Sequence, residues 1–472
     1  MDPNKVAAGP QRGARRIISA LPAMNILGLN WPAAWPALRH LGVLALCLAA
    51  LALLASMFWP DEDLDPEVQR RLDFKPRADQ KQNAYHAMWG MTASPELDAF
   101  AVGERKNQAY EAALRAGGDP QAEDDDKLDG PHPVWRSHPL PALCGHPLEV
   151  SCVQTYRLQH KELLAQAQEL SVLLQRYRAL RGYAFFEVTR SPHQQGSALP
   201  WQAILRAGQL VDAQIVWAVD QREQRGAALT ELQQEVVLWR RFGLDANTLL
   251  DRMAAQTLLA HKLRLAAELL SQYPELAVQY AAQLQTITQP LDDAEASLAN
   301  AMEGEFRFMA YLSQSASDHA LDASEDSYDP QRHSTAVWVH SRQYRPHMVL
   351  NMAFSEWQKS RGFYSQSPQA IATQQTEFDR QAAEPPSWAP RLWLFDAWGK
   401  VTVAVAPRKA LAEDSHRLTD LLAFSRLLEL QRQIAAGSVA PAQLRHGWSK
   451  PPWPCATPTM EAPCTMTQPA TP

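Results

Sequence analysis

Several features that usually reveal an enzyme are missing from this chain. Its 472 residues include only 20 glycines, and none of them forms the Gly-rich loop that cradles a phosphate group. We find no nucleophile motif built on Ser or Cys and no metal-binding helix motif. The sequence therefore predicts neither a cofactor nor a metal site. No period of 20–50 residues repeats, which argues against a repeat solenoid.

An excess of positive charge is also missing. The chain has 45 Lys and Arg against 51 Asp and Glu, which gives a net charge of −6. Proteins that bind nucleic acid gain much of their affinity when basic side chains displace counterions from phosphates. We therefore expect no nucleic-acid partner.

Cysteine is scarce, with five residues in the whole chain. Cys47 lies in an apolar run, and the other four form two close pairs, Cys144 with Cys152 and Cys455 with Cys464. Outside a bacterial inner membrane such pairs normally oxidise, so we predict a structural disulfide between Cys144 and Cys152. Zinc and free thiols are the alternatives for this pair, although its spacing matches no zinc finger. The sequence leaves open whether Cys455 and Cys464 pair.

The most informative feature that is present is the apolar run over residues 41–59. Its nineteen positions carry no charge, and as a helix they would span roughly 28 Å, close to the ~30 Å core of a bilayer. Five bases and one acid precede the run, and five acids follow within residues 61–67. The positive-inside rule then predicts a cytoplasmic tail over 1–40, a single transmembrane helix over 41–59 and a periplasmic remainder.

Two alternatives compete with an uncleaved inner-membrane anchor. A cleaved signal peptide would have a shorter apolar core that ends in small residues, whereas this run ends in Met57, Phe58 and Trp59. The second alternative is a buried core helix. Run length, the bulky end and the charge asymmetry favour the anchor.

Hydrophobic periodicity beyond the anchor is typical of a mainly α protein. Apolar residues recur at alternating spacings of four and three from Tyr156 to Tyr177, interrupted only by His160, and Gly243 and Pro274 mark expected helix ends. We predict a periplasmic array of antiparallel packed helices, with one small β-hairpin suggested by alternation over 391–406. The predicted regions are a linker (60–80), N-terminal helices with a Pro-rich disulfide loop (81–152), a helical core (153–316), a C-terminal helical region (317–445), and a Pro-rich tail that is disordered or frameshifted (446–472).

One candidate site is a polar cluster inside an apolar helix. Glu303 and Arg307 are four residues apart and would pair on one helix face. Together with Glu305 they could serve acid–base chemistry if the carboxylates are buried. A structural salt bridge between packed helices is the plainer interpretation.

A second candidate site is an aromatic and basic run that could bind an anionic glycan. An amphipathic loop edge is the alternative for these residues. The run comprises Trp338, His340, Arg342, Tyr344, Arg345 and His347.

Three stretches resemble an uncharacterised family of single-pass, membrane-anchored and mainly helical envelope proteins of proteobacteria. They are NAYHAMWGM over residues 83–91, GEFRFMAYL over 304–312 and DAWGKVTVAVA over 396–406. The resemblance implies a location in the cell envelope. It implies no reaction, so it transfers no site residues.

These observations favour an interaction or scaffolding protein of the cell envelope over an enzyme. The expected partners are the lipid bilayer and other envelope proteins. The alternative is an envelope enzyme that acts on peptidoglycan or another glycan, with Glu303 or Glu305 as the acid–base residue.

Overall fold

The computed structural model describes residues 31–58, 60–116, 125–135, 151–192, 199–322, 344–366 and 408–439, with short helical pieces between 370 and 380. The chain divides into two units, Met1–Trp59 and Pro60–Pro472. The described residues are mainly helical, and the only strand-like pairing among them is one isolated bridge. The predicted mainly α class is therefore confirmed. The predicted hairpin over 391–406 and the tail over 446–472 lie outside the described residues.

The first unit contains helix α1, Trp31–Phe58. Its described large apolar side chains are exposed, up to 73% for Leu46 and 83% for Phe58. Cys47 is a free, exposed thiol on the same helix. Among the described residues, no helix has both the length and the apolarity needed to cross a membrane. The predicted transmembrane helix over 41–59 therefore stays a prediction.

The second unit contains the remaining helices. In chain order these are α2 Pro66–Leu72, α3 Ala84–Trp89, α4 Ala99–Arg115, α5 Asp125–Leu128, α6 Cys152–Leu158, α7 His160–Glu169, α8 Ser171–Ala179, α9 Trp201–Asp220, α10 Arg225–Asp245, α11 Leu249–Gln272, α12 Leu276–Gln279, α13 Ala281–Thr288, α14 Ala299–Asp322, α15 Pro346–Tyr364 and α16 Arg408–Ala435.

The periodic stretch that begins at Cys152 forms three short helices, α6, α7 and α8, with breaks at Gln159 and Leu170. Most of its predicted apolar face is nevertheless buried, although Leu170 is half-buried and His160 is exposed. Cys152 is disulfide-bonded. Its partner lies outside the described residues, so the pairing with Cys144 stays a prediction.

The main hydrophobic core lies among the three long helices α9, α10 and α11. Helices α6–α8 pack against α9, and α13 and α16 pack against the other long helices. Trp239 of α10 is fully buried in this core. Helix α16 contributes Leu421, Leu422 and Leu428, so the end of the described chain completes the core.

A second, smaller core joins α2, α14 and α15. Val68 of α2 is fully buried there, and the indole Nε1 of Trp357 donates to the Met302 carbonyl at 2.7 Å. Asp61 accepts a hydrogen bond at 2.9 Å from the backbone N–H of His347, at the start of α15. The stretch predicted as a charged linker over 60–80 is therefore packed against the second core.

Candidate functional site

A cavity of about 310 Å³ lies between α3, α11, α14 and the extended segment that follows α8. It brings together residues from four separate parts of the sequence. Of the residues predicted from the sequence, Glu305 and Arg307 line it. The lining residues are Tyr85, Val188, Arg190, Pro192, Leu199, Thr248, Leu250, Asp251, Gly304, Glu305, Arg307 and Phe308.

Two buried asparagines hold the extended segment in place. The amide of Asn83 accepts from the Glu187 N–H at 3.0 Å and donates to the Glu187 carbonyl at 2.7 Å. The amide of Asn247 pairs with both backbone groups of Val188 in the same way, at 3.0 and 3.1 Å. Each side chain thus satisfies backbone groups that a neighbouring strand would otherwise pair. This arrangement fixes the segment just before Arg190.

Tyr85 of α3 lines the cavity with a buried hydroxyl. The residue is 1% exposed, and among the described residues its hydroxyl has no hydrogen-bond partner. Burial raises the pKa of Tyr85 far above its usual range, although the positive charge of Arg190 acts in the opposite direction. The phenol is therefore neutral and can donate a hydrogen bond.

Arg190 brings a positive charge to the cavity. Its guanidinium carbon lies 5.6 Å from the ring centroid of Trp89 and 5.5 Å from that of Tyr110, within the range of a cation–π interaction. Within the described part of the chain, its N–H groups have no hydrogen-bonding or ion-pairing partner. The aromatic contacts position the charge and leave its donors unused.

The two carboxylates of the cavity both accept hydrogen bonds from groups near the start of α11. Thr248 donates to Asp251 and accepts from its backbone N–H, and the indole of Trp201 donates to Asp251 at 3.1 Å. Burial raises the pKa of Asp251, and the hydrogen bonds from Thr248 and Trp201 oppose this rise. Glu305 accepts from the Leu249 N–H at 2.9 Å. Glu305 and the Thr248 hydroxyl thus accept from backbone N–H groups that helix formation leaves unpaired, whereas Asp251 accepts from side chains.

Glu303 takes part in a different contact, on the second core. Its carboxylate pairs with Arg71 at 2.5 Å and with Arg361 at 3.0 Å, which links α2, α14 and α15. Arg307 donates weakly to the Glu303 carbonyl at 3.4 Å, and its guanidinium carbon lies 3.9 Å from the ring centroid of Phe74. Burial lowers the pKa of Arg307, although the Glu303 charge partly opposes this. The predicted side-chain pair of Glu303 with Arg307 is therefore not formed among the described residues: Glu303 pairs with arginines of α2 and α15, and Arg307 lies against Phe74, just after α2.

The aromatic and basic run is described only in part, because Trp338, His340 and Arg342 lie outside the described residues. Tyr344 donates to the Ser313 carbonyl at 2.8 Å, and Arg345 to the Tyr344 carbonyl at 3.0 Å. The ring of His347 contacts the Glu62 carbonyl at 2.9 Å. These contacts attach the start of α15 to neighbouring parts of the fold. Glycan binding by the run stays a prediction.

A second polar cluster lies inside the main core. The ammonium group of Lys262, a residue with no exposed surface, donates to Asp212 at 2.6 Å and to the Gly208 carbonyl at 2.9 Å, and lies 3.4 Å from Glu235. Tyr177 donates to Glu235 at 2.6 Å and accepts from the indole of Trp239 at 2.9 Å. The cluster connects α8, α9, α10 and α11 and is closed to solvent. We therefore assign it a structural role.

The two carboxylates of this cluster have different protonation tendencies. Burial raises the pKa of Asp212 to about 6, because Lys262 only partly compensates for the loss of water. Burial also acts to raise the pKa of Glu235, but Lys262, Arg181 and Tyr177 outweigh it, so this pKa is lowered. Sequence reasoning missed the cluster. The sequence does contain a sign of it. Asp212 in α9 and Lys262 in α11 occupy positions at which the helical spacing would place apolar core residues.

Asp212 predicts a pH dependence of stability. Its pKa is about 6 in the folded protein, against an ordinary pKa of 3.8 for an Asp side chain, so the folded state holds the proton more tightly. The stabilisation is complete below about pH 4 and is lost as pH rises through about 6, with a maximum of about 3 kcal/mol. We expect urea unfolding of wild type and Asp212→Asn to give a difference in unfolding free energy that falls over this range.

Asp220 provides the control for that experiment. Burial acts to raise its pKa, but hydrogen bonds from Arg157 and Tyr273 outweigh burial and lower it. The contribution of Asp220 should therefore weaken only as the pH falls below about 4, which is the opposite direction. A difference between wild type and Asp212→Asn that stays constant from pH 4 to 7 would contradict the assignment.

Comparison with known proteins gives no relative. No protein-family model matches the chain, and neither a curated protein nor a solved structure matches it. Among the described residues, no three His, Cys, Asp or Glu side chains group as a metal site would require. The function has to be inferred from the chain's own residues, and the resemblance to an envelope family stays a prediction.

Proposed function

We propose that the protein is a membrane-anchored interaction or scaffolding protein of the bacterial cell envelope. Its N-terminal tail would lie in the cytoplasm, residues 41–59 in the inner membrane and the helical unit from residue 60 in the periplasm. The observation that carries this proposal is the row of exposed apolar side chains on α1. Large apolar groups along a helix need an apolar cover, which lipid can supply.

The distribution of charged residues around the apolar run supports the proposed orientation of the anchor across the membrane. Bases dominate before the apolar run, and acids follow it at once. Positive residues favour the cytoplasmic side of a bacterial membrane. The helical unit after residue 60 would then contact other envelope proteins through its helix surfaces.

The roles of the acidic residues favour binding over catalysis. Glu303 forms ion pairs with two arginines, and Glu305 accepts from the start of α11. A general acid or base needs a proton position within hydrogen-bond reach of its substrate. The alternative, an enzyme that acts on a glycan, is supported only with Glu305 as its acid–base residue. Glu305 lines the cavity, whereas Glu303 is not among the lining residues.

Crosslinking in intact cells tests the proposal directly. A photoreactive residue at Leu158 or Val278, which are apolar and exposed on α6 and α12, should give a discrete adduct with an identifiable envelope protein. The same residue at the exposed Lys359 serves as the control position. If mass spectrometry finds no envelope protein at either apolar position, or the chain fractionates away from membranes, the proposal fails.

Two substitutions of Glu305 distinguish the scaffold from the enzyme. Glu305→Gln keeps an oxygen that can accept from the Leu249 N–H but removes the titratable group. Glu305→Ala removes both. A scaffold should keep its cellular phenotype with Gln and lose stability only with Ala, whereas a glycan enzyme that uses Glu305 should lose its phenotype with either variant.

A further inference from the structure

The cavity contains hydrogen-bond donors that the described protein groups do not use. The N–H groups of Arg190 have no acceptor there, and the hydroxyl of the buried Tyr85 has no partner. Arg190 is half-buried, but the Tyr85 hydroxyl is fully buried, and a buried polar group without a partner costs about 1–3 kcal/mol, so its presence calls for an explanation. An acceptor that enters the cavity would satisfy both residues.

We propose that this cavity binds a small carboxylic acid, whose carboxylate pairs with Arg190 and accepts a hydrogen bond from Tyr85. A carboxylate offers two oxygens, which suits a planar guanidinium together with a second donor. The proposal is independent of the membrane anchor and of the partner proteins.

The charges that line the cavity favour a monoanion. Arg190 and Arg307 contribute positive charge, and Asp251 and Glu305 contribute acids that already accept hydrogen bonds from α11 and Trp201. With two acids present, a doubly charged phosphate would be opposed more strongly than a single carboxylate.

The rest of the cavity favours an apolar body for the ligand. Val188, Leu199, Leu250 and Phe308 line it together with the charged groups. Its volume of about 310 Å³ lies at the lower end of the ~300–1,000 Å³ that is usual for ligand sites. A short aliphatic or a single-ring aromatic acid fits this combination.

Binding to the full-length protein in detergent tests the proposal. Isothermal calorimetry should detect hexanoate or benzoate, and the neutral hexanamide and benzamide should bind at least about tenfold more weakly. Inorganic phosphate should not compete. Equal binding of acid and amide, competition by phosphate at a comparable concentration, or no binding of either acid would overturn the proposal.

Two variants locate the binding at these residues. Tyr85→Phe removes only the hydroxyl without a partner, so the protein should stay folded and bind benzoate about tenfold more weakly. Arg190→Gln should abolish binding of the acid, whereas Arg70→Gln, on an exposed part of α2, should not change it. Unchanged benzoate affinity in Tyr85→Phe would place the acid elsewhere and refute the assignment, even if Arg190→Gln failed to fold.

Discussion

Replacement of Lys262 by Met is expected to lower the free energy of unfolding by about 3–5 kcal/mol. The ammonium group is the shared partner of Asp212 and Glu235, and all three side chains are almost completely buried. Methionine would fill a similar volume, so the loss comes from two carboxylates left without their common cation. Chemical unfolding at about pH 7, where Asp212 is mostly ionised, should show the full effect.

Two comparisons make this prediction specific. Lys161→Met, on the exposed side of α7, removes the same group and should change stability by no more than about 0.5 kcal/mol. Addition of Asp212→Asn to Lys262→Met should recover part of the loss, because one buried charge is removed. A Lys262→Met variant as stable as Lys161→Met would show that the cluster contributes little.

The second large effect is expected from Gly304→Ala. A Cβ atom at Gly304 would lie 1.8 Å from the backbone oxygen of Asn247, so α14 could not keep its position against the start of α11. Overpacking of this kind costs about 1–3 kcal/mol and occasionally more. The shift would also disturb the Glu305 contact with Leu249 and the Asn247 contacts with the extended segment. Both stability and carboxylate binding should fall.

Gly362 on α15 is the matched control, because a Cβ atom there meets nothing within 4 Å. Gly362→Ala should therefore be neutral or stabilise the protein by up to about 1 kcal/mol through the better helix propensity of Ala. Denaturant unfolding of both variants measures the difference. Equal stability of the two variants would contradict the prediction, because it would show that α14 can move away from Asn247 without a loss of stability.

Several helix boundaries could be predicted because their signals are local. Helix α11 ends at Gln272, shortly before Pro274 as predicted, and α15 begins at Pro346, a residue type favoured in the first turn of a helix. Pro290 is followed by two acids, a pattern common at helix starts, yet α14 begins only at Ala299. Arg240 donates to Glu295 and to the Pro290 carbonyl and so holds this stretch as a turn. Such a contact comes from another helix and leaves no trace in the local pattern.

The candidate site could be predicted only in part for the same reason. Glu305 and Arg307 were noticeable because they interrupt an apolar helix, and they do line the cavity. Tyr85 and Arg190 were not predicted as site residues, because no local pattern marks either as a binding group, although Tyr85 lies in the NAYHAMWGM stretch. They enter the same site through Asn83 and Asn247, whose side chains hold the extended segment from positions just before α3 and α11.

The second core has a consequence for how the chain is made. Arg71 of α2 pairs with Glu303, 232 positions later, and Asp61 caps a helix 286 positions later. A growing chain therefore exposes α2 long before its partners have been synthesised. Contacts of such long sequence separation slow folding, because the entropy of closing the intervening loop is lost before the contact stabilises it. The helix nearest the start of this unit is thus among the last to be secured, and until then its apolar face is open to chaperones and proteases.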